Sequence, residues 1–127
     1  MSNAYLDSSA LTKLVIDEPE SPALQTVLQG RTLLTSRVAM VEVSKAVARS
    51  NPIADPSRIF SLETLLELDA NVASMAATTG GAGLRSLDAI HVATALLVGA
   101  ELEAFITYDT RQSEAARAAA PLLPSSA

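Results

Sequence analysis

Short apolar runs alternate along this chain with longer stretches in which apolar residues recur at helical spacing. Ala4-Tyr5-Leu6 is the first run and ends at Asp7; residues 8–17 then follow a helical pattern that Pro19 stops. Ser21-Pro22 opens a second helix, with proline near its first position, that runs to Gly30. Residues 32–35 read as strand, 38–49 as a helix with apolar residues crowding one face, and 57–62 as a short helix after the Asn-Pro and Asp-Pro loop at 50–56. Residues 64–68 fit strand or helix by periodicity; they are assigned as strand because Asp69 then caps a helix to Thr78. Residues 79–83, rich in glycine, form a loop, and Ser86 caps an Ala-rich helix ending near Gly99. Residues 104–107 form a strand, and Asp109 caps a last helix that Pro121 ends, with 121–127 a flexible tail.

Strands alternating with helices predict an α/β fold with right-handed crossovers. The expected arrangement is three layers, α/β/α, around a mainly parallel central sheet of about four or five strands. Ligands of such folds bind in the crevice beyond the carboxyl ends of the strands. Asp7 and Asp109 each follow an apolar strand and are placed at that crevice.

Composition narrows the chemistry. A chain of 127 residues, 49% hydrophobic, can bury a core and is expected to form one domain over 1–127. Aromatic residues make up only 3%, so the core is built from Ala, Val, Leu and Ile. There is no Cys, which excludes disulfides, thiolate metal sites and Cys nucleophiles. Apolar stretches such as 95–98 are far too short to cross a bilayer, and the N-terminus lacks a signal-peptide pattern, so a cytoplasmic protein without membrane contact is expected. The net charge of −5 argues against a broad basic face for nucleic acid. It is compatible with an acidic site offset by divalent cations.

Four carboxylates stand out, each with a plain structural alternative. Asp7 and Asp109 can cap the helices that follow them, Asp109 in a capping box with Gln112. Asp88 falls in the first turn of its helix, where negative charge suits the macrodipole. Glu42 lies beside the apolar stripe of its helix and either pairs with Lys45 at i+3 or meets a partner such as a metal ion, since an unpaired buried carboxylate is costly.

The segment Tyr5-Leu6-Asp7-Ser8-Ser9-Ala10-Leu11-Thr12-Lys13, then Val41-Glu42-Val43, the block from Leu84 to Ala95 containing Ser86-Leu87-Asp88-Ala89-Ile90-His91, and Thr107-Tyr108-Asp109 resemble, in order and spacing, the four motif blocks of VapC-like PIN domains. The resemblance covers nearly the whole chain, and the third block is its most specific part. It implies a PIN-like domain and metal-dependent hydrolysis of RNA phosphodiester bonds. Asp7, Asp88 and Asp109 would be the main ligands of Mg²⁺ or Mn²⁺, with Glu42 a ligand or water-orienting group across the site. It also implies a toxin of a toxin–antitoxin pair, with RNA as substrate, a VapB-like antitoxin as partner, and a homodimer.

Ser8 and Thr107 are candidates for orienting carboxylates or phosphate, or are turn hydroxyls; Arg85 and Arg111 either steer phosphates or are solvated surface residues. His91, at i+3 from Asp88, sits near the cluster or packs as a satisfied core histidine. Two other readings stay open: a non-catalytic PIN-like module that binds RNA or protein, and a phosphohydrolase with Asp7 as nucleophile. Against the second, haloacid-dehalogenase-like enzymes carry an Asp two residues after the first, where this chain has Ser9. A receiver domain wants a strand-end Lys, whereas Lys13 and Lys45 lie in early helices.

Overall fold

Alternation along the strands decides which helices cover which face. In the computed structural model, which describes residues 2–61 and 63–119 (backbone alone at 118 and 119), four strands pair in parallel: β1 (Asn3–Leu6), β2 (Thr32–Ser36), β3 (Thr64–Leu66) and β4 (Leu102–Ile106). Their order across the sheet is β3-β2-β1-β4. In β1, Ala4 and Leu6 face one way and Tyr5 the other, as the two-residue repeat of a strand requires.

On the first face lie α1 (Ser8–Val15), α2 (Ser21–Leu28), α3 (Val38–Ser50) and α4 (Ser57–Ser61), which pack Leu11, Leu24, Val43 and Phe60 against Ala4, Leu6, Ala104 and Ile106. On the second, α6 (Ser86–Val98) and α7 (Thr110–Ala119) pack Val92, Ala95 and Ala116 against Tyr5, Leu34 and Phe105; α5 (Ala70–Ala76) packs beside α6. The result is the expected three-layer α/β/α fold, with a sheet that is parallel throughout. Among the described residues, no helix is long and apolar enough to cross a membrane.

One irregularity matters for β4. Asn3 pairs with Leu102 but Ala4 pairs with Ala104, so the register skips at Glu103. That bulge shifts the alternation by one residue. Leu102 and Phe105 therefore share one face while Ala104 and Ile106 share the other.

Connections through α1–α2 and α3–α4 carry the chain from β1 to β2 to β3 in one direction, and the α5–α6 connection returns it to the far side of β1. The strand order thus reverses between β1 and β4. In an open parallel sheet this switch point opens a crevice at the carboxyl ends of the two strands. Asp7 directly follows β1, and its amide extends the ladder by donating to the Ile106 carbonyl at 3.2 Å.

Several local expectations need correction. Ser86 does not cap α6: Arg85 holds the cap position, without a side-chain cap bond, and Ser86 is already helical. The Asp109–Gln112 capping box forms only in one direction. Asp109 Oδ1 accepts from the amides of Arg111 and Gln112, but the Asp109 amide donates to Thr107 Oγ1, and the buried Gln112 Nε2 has no partner. The 79–83 loop contains a 3₁₀ turn at Gly81–Gly83, entered through Gly80 at φ +73°, where a Cβ would lie 2.6 Å from Leu84 Cδ2. β3 stops at Leu66, and β4 starts at Leu102 because its pairing with β1 begins there. Pro121 and the expected 121–127 tail lie outside the described residues.

Before β3, Glu63 buries both carboxylate oxygens without a hydrogen-bond partner, and burial pushes its carboxyl up to about 8. A carboxyl raised on folding costs stability as pH climbs from the unfolded value toward the folded one, because the native state keeps a proton that the unfolded chain releases. Glu63→Gln should therefore raise the melting temperature at pH 9 by about 3–8 °C and leave it nearly unchanged at pH 4. Thermal unfolding followed by circular dichroism at both pH values checks this; an equal effect at the two would show that Glu63 is not titrating.

Candidate active site

Two neighbouring hydroxyls hold the carboxylate of Asp7, which is 2% exposed. Ser9 Oγ donates to Oδ1 at 2.6 Å and Thr107 Oγ1 donates to Oδ2, while the Ala10 amide adds a cap bond to Oδ1 at 3.0 Å. Both hydroxyls also accept from the turn after β4: Ser9 from the Tyr108 amide at 2.9 Å, Thr107 from the Asp109 amide at 3.0 Å. Asp7 is consequently a helix cap and the tie between the ends of β1 and β4 at once. Burial raises its carboxyl above the ordinary Asp value, and the donors from Ser9, Thr107 and Ala10, with nearby His91, work against that rise.

Arg85 joins the other two aspartates. Its Nε lies 3.2 Å from Asp88 Oδ2 and its Nη2 3.4 Å from Asp109 Oδ2. Asp88, 9% exposed, projects from the first turn of α6, so the helix N-terminus adds favourable partial charge. The guanidinium itself is largely exposed and rests across the two carboxylates as a local counter-charge.

Glu42 does not pair with Lys45; among the described residues its partners are Ser8 and His91. Ser8 Oγ donates to Oε1 at 2.5 Å and His91 Nε2 reaches the same oxygen at 2.7 Å. Because the carboxylate accepts, Nε2 carries a proton, and Nδ1 is hydrogen-bonded to the Tyr5 hydroxyl at 2.6 Å. His91 is 1% exposed, so it is both a core histidine and the group that aims Glu42. Burial favours the neutral acid of Glu42, but the His91 and Ser8 contacts together win and hold its carboxyl below the ordinary Glu value.

The structure thus strings the four carboxylates along one connected path. Asp88 and Asp109 meet on Arg85, Asp109 and Asp7 meet on Thr107, and Ser8, next to Asp7, bonds Glu42. Among the described residues they do not form a group of three or more acidic or histidine side chains placed to hold a metal ion together. Arg111 is exposed and contributes its amide to Asp109. Sequence reasoning missed Ser9 and Tyr5. A second hydroxyl two residues past Asp7, and a phenol inside an otherwise apolar strand, were the available signals, since a buried tyrosine hydroxyl needs a partner.

The family model described as PIN domain matches residues 4–118. The chain belongs to the PIN-domain family. It is 45% identical over 115 residues to Ribonuclease VapC47 of Mycobacterium tuberculosis, covering 84% of this chain and 85% of that protein. To Ribonuclease VapC35 of the same species it is 46% identical over 122 residues, covering 90% of each. Among solved structures, Mycobacterium tuberculosis VapC20, described as a sarcin-ricin loop cleaving toxin, matches with a TM-score of 0.69 at 13% identity over 88% of this chain and 94% of that one. A chain of a toxin–antitoxin complex from Klebsiella pneumoniae matches with a TM-score of 0.69 at 21% identity over 96% of each. These two structural likenesses carry the fold.

The Tyr5–His91–Glu42 string gives a direct test. Tyr5→Phe leaves His91 Nδ1 buried without its hydrogen-bond partner, which should cost about 1–3 kcal/mol. Urea denaturation checks this; an unchanged midpoint would mean that the phenol hydroxyl does not anchor His91.

Proposed function

We propose that this PIN domain is the toxin ribonuclease of a type II toxin–antitoxin pair, a hydrolase that cuts RNA phosphodiester bonds with Mg²⁺ or Mn²⁺. One observation carries the reading. The four acidic residues of the motif blocks are linked, through Arg85, Thr107 and the adjacent Ser8, at the switch point of the sheet, in a chain 45% identical to a VapC ribonuclease.

The donor chemistry fits a hard dication. Every candidate ligand is a carboxylate oxygen, with no sulfur and one buried, already bonded imidazole nearby. Mg²⁺ commonly takes only one or two carboxylates and fills its remaining positions with water and phosphate oxygen. Asp7, Asp88 and Asp109 are assigned as ligands, direct or through water, and Glu42 as ligand or water-orienting carboxylate. When bound, the cation makes water a stronger nucleophile and neutralises charge on the attacked phosphate.

The chain's own residues do the positioning. Ser9 and Thr107 fix both oxygens of Asp7, so that its orientation is set before any ligand arrives. His91, held by Tyr5, and Ser8 keep Glu42 ionised and ready to accept a proton or hydrogen bond from water. Arg85 holds Asp88 and Asp109 together in the ligand-free protein and is placed to turn outward to an RNA phosphate, with exposed Arg111 as a second phosphate contact. The reading extends to a cytoplasmic protein of one domain. Its partners would be a VapB-like antitoxin and a second copy of the chain, for which exposed Val41 and Ile53 offer apolar contact.

Asp7→Asn and Asp88→Asn should each lower Mg²⁺-dependent RNA cleavage by more than about 100-fold, beyond the loss typical of removing a ligand's supporting partner. Their circular dichroism should stay native. A gel-based cleavage assay with EDTA controls decides it; wild-type rates in either variant would remove that residue from the chemistry. Arg85→Ala should lower the melting temperature in EDTA, because Asp88 and Asp109 then repel, and should enlarge the rise caused by Mn²⁺. Equal Mn²⁺ shifts with and without the arginine would contradict its role as counter-charge.

A further inference from the structure

Tyr108 stands between Thr107 and Asp109, yet its side chain takes no part in the hydrogen bonds of the site. The chain has two Tyr, two Phe and no Trp. Tyr5, Phe60 and Phe105 are buried, and Tyr108, 36% exposed, is the one ring open to solvent. It is also anchored. Its amide donates to Ser9 Oγ, itself bonded to Asp7, and Lys13 Nζ sits 4.8 Å from the ring centroid. Lys13 is in turn fixed by Glu18 at 2.6 Å and Glu20 at 3.1 Å. The ring is therefore held against Lys13 of α1, on the residue next to Asp109, with about 3.8 Å between their Cα atoms.

Resting on the ribonuclease reading above, we infer that Tyr108 is a stacking platform for an unpaired nucleobase of the RNA. The charge of the chain supports this. With a net charge of −5 and a site of carboxylates, binding cannot draw on a broad basic face, and RNA needs another source of affinity. Base–aromatic stacking supplies it without electrostatics and tolerates any base. A ring already pinned by Lys13 loses little freedom on binding. Only a base outside a duplex can reach it, because the bases of paired RNA are stacked on one another.

The chain's lack of tryptophan makes the test direct. In an Asp7→Asn background with Mg²⁺, Tyr108→Trp places a single indole at the platform. Titration with a hairpin RNA carrying an unpaired loop should quench its emission, whereas a fully paired duplex should not. By anisotropy of a labelled hairpin, Tyr108→Ala should weaken binding about tenfold, Tyr108→Phe should leave it unchanged, and abasic loop nucleotides should erase the difference. Hairpin binding with unquenched emission and full affinity in Tyr108→Ala would overturn the platform and leave the ribonuclease reading standing. Absence of both hairpin binding and wild-type cleavage would end both.

Discussion

A carboxylate withdrawn from water has to be met by donors on both oxygens, and at Asp7 that requirement organises the centre of the molecule. Its two oxygens take hydroxyls from Ser9 and Thr107, one from α1 and one from just past β4. Those hydroxyls accept the consecutive amides of Tyr108 and Asp109. A single buried charge therefore fixes the first turn of α1 against the turn after β4, at the point where the strand order reverses. The energetic logic is that of any buried polar network: complete, it rigidifies; with one member missing, it costs more than an apolar replacement.

Around this tie the remaining acids differ in how they are kept. Asp88 and Asp109 share a mostly exposed guanidinium, a contact that solvent screens and that is easily exchanged. Glu42 is held from behind by a buried histidine whose other nitrogen is occupied by a buried phenol. The carboxylates thus divide into one locked at the strand ends, one aimed from the core and two bridged by an exposed guanidinium. Under the proposed function, a cation entering such a site would meet a fixed ligand in Asp7, a fixed water-orienting group in Glu42 and a displaceable counter-charge in Arg85.

Much of this was legible in the sequence, because strand-end aspartates and helical periodicity are local signals. The alternating apolar runs gave the layers, and the residues after β1 and β4 fell where a parallel sheet opens its crevice. Glu42 was readable as a carboxylate on an apolar flank, but the identity of its partner was not. His91 reaches it from 49 residues away in α6, held in turn by Tyr5 of β1, and no spacing along the chain records that approach. Ser86 and Gln112 show the opposite failure. Both match cap patterns, yet Arg85 took the cap of α6 and Thr107 had already claimed the Asp109 amide. The Glu103 bulge likewise leaves no mark in composition, although it decides which face Phe105 covers.

In the proposed function these separate segments of chain cooperate in gripping a hard cation. Anomalous diffraction from crystals soaked in Mn²⁺ tests it without reference to any substrate. A Mn²⁺ peak is expected within direct or one-water reach of Asp7, Asp88 and Asp109, with Arg85 displaced from between the aspartates. Saturating Mn²⁺ that leaves this crevice empty, or a peak at an unrelated surface, would contradict it.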